Sequence, residues 1–306
     1  MSEERIPIIL DVDTGLDDAL ALIEAVRDPH VDLLAVSTLS GNVNVHKATA
    51  NTLAVLDYLG ANEIPVHQGA SHPLVEPIFD ASDVHGVTGL GDALLPESGR
   101  GVGADRGPAA IIRLAKQRPG EITLVCTGPL TNLAIALNVE PELGNWLKHI
   151  VIMGGAYRVP GNTRPHGEFN ILLDPEAAEQ VFHADLPHVT AIGLDVTHET
   201  TLSRKDWEHL DSIHQPDSDL VALITRFTFH TRKRDLFFMH DPLALGVAID
   251  PTIVTCETGT VDVLLSGPER GRTVFRPGEG STKVAFGVDA NRFLKMYGSA
   301  LGIELR

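Results

Sequence analysis

The chain has 306 residues, 43% of them hydrophobic, enough to bury a substantial core, which excludes a disordered or fibrous protein. Its 24 basic and 41 acidic side chains give a formal charge of −17, which repels phosphate backbones and argues against nucleic acid or an anionic membrane as the main partner. No apolar run reaches the roughly 18 residues of a membrane helix, and the N-terminus carries charges in place of a signal-peptide core, so a cytoplasmic protein is expected.

In chain order, β-branched apolar runs recur: IPIIL before Asp11, VDLLAVSTL before Ser40, ITLVCT, HIVIM and VTAIGL. They are too continuous for strands with one wet face and predict central parallel strands. Between them lie the helical patterns DDALALIEAV, HKATANTLAVLDYL, PAAIIRLAKQ, LTNLAIALN and PEAAEQVFH, most opened by Asp, Thr or Pro and stopped by Gly or Pro. The last third adds helical patterns at 219–232 and 242–247, then strand-like VDVLL, RTVFR and KVAFGV. The expected fold is α/β: an open, mainly parallel, Rossmann-like sheet with flanking helices, an added C-terminal helical layer and a few antiparallel strands. No repeat or linker divides the chain, so one domain over residues 1–306 is expected, with the Gly/Pro-rich stretch 69–107 as a functional loop. Cys126 and Cys256 both lie in apolar runs, where buried reduced thiols are expected rather than a disulfide.

In such a sheet the ligand sits beyond the carboxyl ends of the strands. The first run ends in Asp-Val-Asp-Thr-Gly-Leu-Asp-Asp, with Gly15 allowing the turn and Asp17 placed to cap the next helix. Asp11, Asp13, Asp17 and Asp18 so close together repel one another unless a cation joins them, and oxygen ligands favour a hard ion such as Ca²⁺ or Mg²⁺. An EF-hand does not fit, because the loop glycine falls one place early and Leu22 stands where a glutamate would close the loop. The other strand ends supply Ser40-Gly41-Asn42, Thr127-Gly128-Pro129, Met153-Gly154-Gly155 and Asp195, and His240-Asp241-Pro242 opens a later helix with a further carboxylate.

The ordered motifs ILDVDTGLDDALAL, SGN, HGVTGLG, CTGPLTNLA, VIMGGAY, GEFNI and MHDPLALG make the chain resemble the inosine-uridine-preferring nucleoside hydrolase family from Ile8 to about Ile249. The resemblance implies hydrolysis of the N-glycosidic bond of ribonucleosides to base and ribose. It implies Ca²⁺ held by Asp13, Asp18, the Thr127 carbonyl and Asp241, with Asp13 also the base for a metal-bound water. By the same likeness Asp17, Asn42, Glu168 and Asn170, with Asn162 and Met153 nearby, grip the ribose, while His85 and His240 face the base and Asp11 stands behind the ligands. The chemistry is coherent, since coordination acidifies water and an oxocarbenium-like sugar needs dense polar contacts. Glu168 and Asn170, two apart on a segment expected to be extended, would reach one sugar, with Phe169 facing elsewhere. A homodimer or homotetramer is implied by the likeness alone.

Two departures from the family pattern stand out. Thr14 replaces a usual Pro, and Phe227, Thr228, Phe229 and His230 stand where base-facing tyrosines are common, which leaves base preference open. Two other classes compete. A haloacid-dehalogenase-like phosphohydrolase would use Asp11-Val-Asp13-Thr14, Ser37-Thr38 and Lys47 or Lys116, but leaves Asp17, Asp18, GEFNI and HDPLALG unexplained. A non-catalytic nucleoside- or ribose-binding protein could keep the calcium site and the pocket without turnover.

Overall fold

The computed structural model describes residues 5–75, 77, 81–163, 166–184 and 186–305. Strand β1 (Ile6–Val12) leads into helix α1 (Leu16–Arg27), β2 (Val31–Thr38) into α2 (Val45–Tyr58), and β3 (Val66–Gln68) into a long loop carrying the short helix α3 (Ser82–His85). Helix α4 (Gly107–Gln117) returns to β4 (Thr123–Cys126), followed by α5 (Thr131–Val139), α6 (Leu143–Trp146) and β5 (His149–Met153). Helices α7 (Phe169–Leu173) and α8 (Pro175–His183) precede β6 (Val189–Ile192), α9 (Leu194–Thr197) and β7 (Thr201–Ser203). The remainder is α10 (Arg204–Ile213), α11 (Pro216–Arg226), a π-helical turn at Phe227–Thr231, β8 (Leu236–Phe238), α12 (His240–Ile249), β9 (Val254–Val263), β10 (Thr273–Pro277), β11 (Thr282–Val288) and α13 (Ala290–Ala300).

Nine strands form one sheet in the order β10-β9-β11-β6-β5-β4-β1-β2-β3, and β7 pairs with β8 apart from it. Strands β1 to β6 run parallel, β11 joins β6 in parallel, and β9 and β10 complete that edge antiparallel. The stretch β3-β2-β1-β4-β5-β6 reverses direction of travel at β1, so a crevice opens there beyond the carboxyl ends of β1 and β4. Alternation along β1 sends Ile8, Leu10 and Val12 into a core with α1, α12 and α13, and Ile9 into a second core with α4, α5 and α8. Both faces are covered, which is why these strands read as unbroken apolar runs.

The mainly parallel α/β sheet is therefore as expected from the sequence. The differences are local. Helix α11 begins at Pro216, a residue suited to the first helical position, and its pattern continues past Arg226 only as the π turn. The three-residue strands β3, β7 and β8 are too short to show a period of two. Cys126 is buried but Cys256 is exposed on β9, contrary to the expectation for its apolar run; both thiols are free. Among the described residues no helix is long and apolar enough to cross a membrane.

Candidate active site

The site begins where β1 runs out. Asp11 is level with Ser37 of β2 and Cys126 of β4, and it sits behind the cleft with Oδ1 accepting from Asn132 Nδ2 at 2.7 Å. Burial pushes its carboxyl up to about 7. Asp13 is wholly buried; its Oδ2 accepts from the Asn42 backbone N–H at 2.6 Å and its Oδ1 from Asn42 Nδ2 at 3.2 Å. This approach needs Gly41, since a Cβ there would stand 1.9 Å from Asp13 Oδ2.

Leu16, Asp17 and Asp18 are the first three residues of α1. The third position reaches back to the N-terminal end of its helix, and Asp18 Oδ2 accepts the Gly15 N–H at 2.9 Å. The capping role expected of Asp17 therefore belongs to Asp18, which also accepts from Thr127 Oγ1 at 2.7 Å and Asn42 Nδ2 at 3.0 Å. Asp17 is left free to line the cleft, its buried Oδ1 without a hydrogen-bond partner. Asp241, in the first turn of α12, closes the group: Asp17, Asp18 and Asp241 offer oxygens within 4.8 Å of one another. Burial, then the neighbouring carboxylates, raise Asp17 to about 8 and push Asp241 and Asp13 well up. These residues fit a divalent cation, because its charge would relieve that repulsion. Asp13 is not among the three that come within that distance; its carboxylate is held by Asn42, and its charge still acts on Asp241.

One flank of the cleft is polar. Glu168 is the N-cap of α7, not part of an extended segment as expected, because its carboxylate satisfies the helix's free N–H groups. Its oxygens accept from Asn170 N at 2.9 Å, Ile171 N at 3.1 Å and Gly155 N at 3.0 Å. Asn170 Nδ2 donates to the Thr127 carbonyl at 2.6 Å and to the Met153 carbonyl at 3.2 Å, so α7 ties the ends of β4 and β5 together. Asn162 Oδ1 accepts from Phe169 N at 3.0 Å, and Phe169 also lines the cavity instead of facing away.

The opposite wall carries rings. His85 Nδ1 accepts the Leu16 N–H at 3.1 Å, which leaves its proton on Nε2. Burial, with Arg232 nearby, lowers His85 to about 3. His240 Nδ1 pairs with Thr197 Oγ1 at 2.7 Å, and burial, His198 and His85 lower it to about 3, so it is neutral at pH 7. Phe238 stacks on the His240 ring with centroids 5.5 Å apart, and His198 lies 5.0 Å from Phe238. Of the four residues standing in place of tyrosines, only Thr228 lines the cavity; Phe229 and His230 pack on Trp207. The cavity holds about 570 Å³ and is lined by Asp17, Asn42, His85, Thr127, Met153, Asn162, Glu168, Asn170, His240 and Asp241.

The residues expected to face the ribose and the base all line one cleft, with Asp13 and Asp18 joined to it through Asn42. Sequence reasoning named Thr228 as one of four possibilities and missed Arg232, Phe238 and His198 on the ring wall, and Asn132, whose one amide joins Asp11, Ser37 and Thr38. Asn132 stood within the CTGPLTNLA motif, so a signal for it existed. Asp195 is not at the site; it accepts from the backbone N–H groups of Tyr157 and Arg158. Thr14, in place of the usual Pro, hydrogen-bonds Thr52 at 2.6 Å, which anchors the acidic loop to α2. The lysines that a phosphohydrolase would need lie elsewhere: Lys47 Nζ donates to the Val87 carbonyl, and Lys116 stands over Trp146.

An acidic, oxygen-only floor facing a polar flank and a ring wall, set at the switch point of a parallel sheet, defines a hydrolase-type cleft equipped for a metal ion. The family model described as inosine-uridine preferring nucleoside hydrolase matches residues 8–295. The inosine-uridine preferring nucleoside hydrolase of Leishmania major is 36% identical over 297 residues, covering 94% of this chain and 94% of that protein. The pyrimidine-specific ribonucleoside hydrolase RihA of Shewanella woodyi is 37% identical, covering 96% and 97%. Among solved structures, the purine-preferring ribonucleoside hydrolase from Gardnerella vaginalis superposes with a TM-score of 0.91 at 35% identity, covering 96% of this chain and 98% of that one. This chain belongs to the inosine-uridine preferring nucleoside hydrolase family. Its class of activity is hydrolysis of the N-glycosidic bond of ribonucleosides, in a family that normally binds a metal ion. Neither the phosphohydrolase nor the non-catalytic reading finds support.

Proposed function

We propose that this protein is a calcium-dependent ribonucleoside hydrolase in which Asp13 is the catalytic base and His240 assists the departing base. The observation that carries the proposal is one cavity lined by Asp17, Asp241 and the His240 ring, with Asp18 beside that pair and Asp13 close enough for its charge to raise Asp241. Asp13, Asp18, Asp241 and the Thr127 carbonyl are the proposed calcium ligands; the Thr127 oxygen has a second lone pair beside its bond from Asn170. Calcium would neutralise the carboxylates and acidify the attacking water. Asp13 takes the proton of that water as its oxygen bonds to the anomeric carbon. The bond to the base breaks with its electron pair going to the base nitrogen. Asp17, Asn42, Glu168 and Asn170, with Asn162 and Met153 beside them, hold the ribose. His85 and His240 face the base, and His240, being neutral, contributes an N–H hydrogen bond that strengthens as charge develops there. The test is ribose release from a panel of nucleosides; tight binding without release, or phosphate release from a sugar phosphate, would overturn it.

Help to the leaving group predicts a split between substrates. His240→Ala loses about 10² to 10⁴-fold in kcat on natural nucleosides. It loses little on a nitrophenyl riboside, whose leaving group departs without help. A parallel drop on both substrates would mean that His240 only positions Asp241.

Dialysis against a chelator is expected to lower both turnover and Tm, with calcium restoring both, since the ion would bind the folded chain alone. Full activity in protein shown by metal analysis to lack calcium would refute calcium dependence.

The same reading extends to the whole chain as one catalytic unit, supported by its single nine-stranded sheet. By family likeness it extends to a homodimer or homotetramer, and by the charged N-terminal residues to the cytoplasm, which light scattering and cell fractionation would check.

A further inference from the structure

A second cavity lies at the opposite edge of the sheet, at the amino ends of the parallel strands, and its chemistry is the reverse of the acidic floor. Its volume is about 500 Å³, and its lining includes Lys148, His149, His188 and Lys283 with the hydroxyls of Thr190 and Ser281. Among the described residues that line it, none is acidic. No ion pair among the described residues joins Lys148, His188 or Lys283 to a carboxylate.

The sheet register makes this arrangement. Val151 pairs with Thr190, Thr190 with Lys283, and Lys283 with Thr258, so these four project on one face across β5, β6, β11 and β9. His149, two residues before Val151, shares that face and bonds Thr190 Oγ1 through Nε2 at 2.9 Å. Lys148 and His188 enter from the residues that precede β5 and β6. The closeness of these groups is felt at His149, which burial and then Lys283, His188 and Lys148 lower to about 4.

We infer that this cavity binds a small anion bearing a phosphoryl group. Two ammonium groups and imidazole N–H donors match the several acceptor oxygens of a phosphomonoester, while the Ser281 and Thr190 hydroxyls are engaged with the Leu186 carbonyl and His149, and the volume leaves room for a sugar beyond the phosphate. The site is separate from the catalytic cleft and uses none of its residues.

The test is calorimetric titration of the full chain with inorganic phosphate and, separately, with ribose 5-phosphate, while the ring protons of His149 and His188 are followed by NMR. Saturable binding with a Kd of about 1 mM or tighter is expected, with shifts at both histidines. Tighter binding of ribose 5-phosphate identifies a sugar phosphate as the ligand; equal binding identifies the free ion. Replacing both Lys148→Ala and Lys283→Ala should weaken binding at least about tenfold, as loss of charge-assisted bonds does. Replacing both with Arg should retain it, and kcat/KM for nucleosides should be unchanged in either variant. A control pair at exposed positions, Lys205→Ala with Lys295→Ala, should leave binding unaltered. Absence of saturation, binding that survives the loss of Lys148 and Lys283, or equal weakening by the control pair would each overturn the assignment.

Discussion

Asp13→Ala is expected to lower kcat by about 10⁴-fold or more while the protein remains folded. General-base help is typically worth about 10² to 10⁴-fold, and the same substitution removes a proposed metal oxygen. Two donors from one residue, the backbone and side chain of Asn42, fix Asp13 at 2.6 and 3.2 Å, so no other carboxylate occupies its position. The cost to the fold is limited because Asp13 is a buried carboxyl whose ionised form is disfavoured by burial and by Asp18. Removing it relieves repulsion, although the Asn42 donors lose their acceptor. Steady-state turnover of the nitrophenyl riboside and a thermal melt check the two halves. Activity within tenfold of the parent chain would show that another group acts as base; a collapsed melt would assign Asp13 to stability.

Ribonucleosides are expected to exceed their 2′-deoxy counterparts by about 10⁴-fold in kcat/KM. The reason is the pre-set polar flank. Asp17 Oδ1 is buried with no partner of its own, and Asn42 and Asn170 are held in place by Asp13, Asp18, Thr127 and Met153. Groups fixed in this way cannot swing to solvent when a sugar hydroxyl is missing, so they remain desolvated and unmatched. The comparison of inosine with deoxyinosine reads this directly, and equal kcat/KM would show that the flank does not recognise the ribose.

The floor was legible because it sits at strand ends. Unbroken apolar runs locate the strands, and the polar residues that follow them, Asp13, Ser40 to Asn42 and Thr127, together with Met153 at the end of β5, come to the carboxyl end of the sheet by topology alone. Asp17 and Asp18 were legible as a pair but not in their division of labour, which depends on the third helical position being the one that reaches back. Glu168 was found through a motif, yet its role as a helix cap was hidden, since the five residues of α7 show no helical period. The ring wall was least legible. It depends on a π turn that decides which of Phe227, Thr228, Phe229 and His230 faces inward, and on the three-residue strands β7 and β8.

That wall has an evolutionary consequence. The residues of the floor are braced by hydrogen bonds between neighbouring strands, so replacing one disturbs several others. Thr228 and Phe238 belong instead to the π turn and the β7–β8 ribbon, and Arg232 follows the π turn; none of these joins the nine-stranded sheet. Substitutions there can accumulate without loosening the groups that carry the chemistry. The relatives named for pyrimidine and for purine preference are about equally similar to this chain, at 37% and 35% identity. Exchanging residues 227–238 between such relatives is thus a route to new base selectivity that leaves the sugar and water machinery in place.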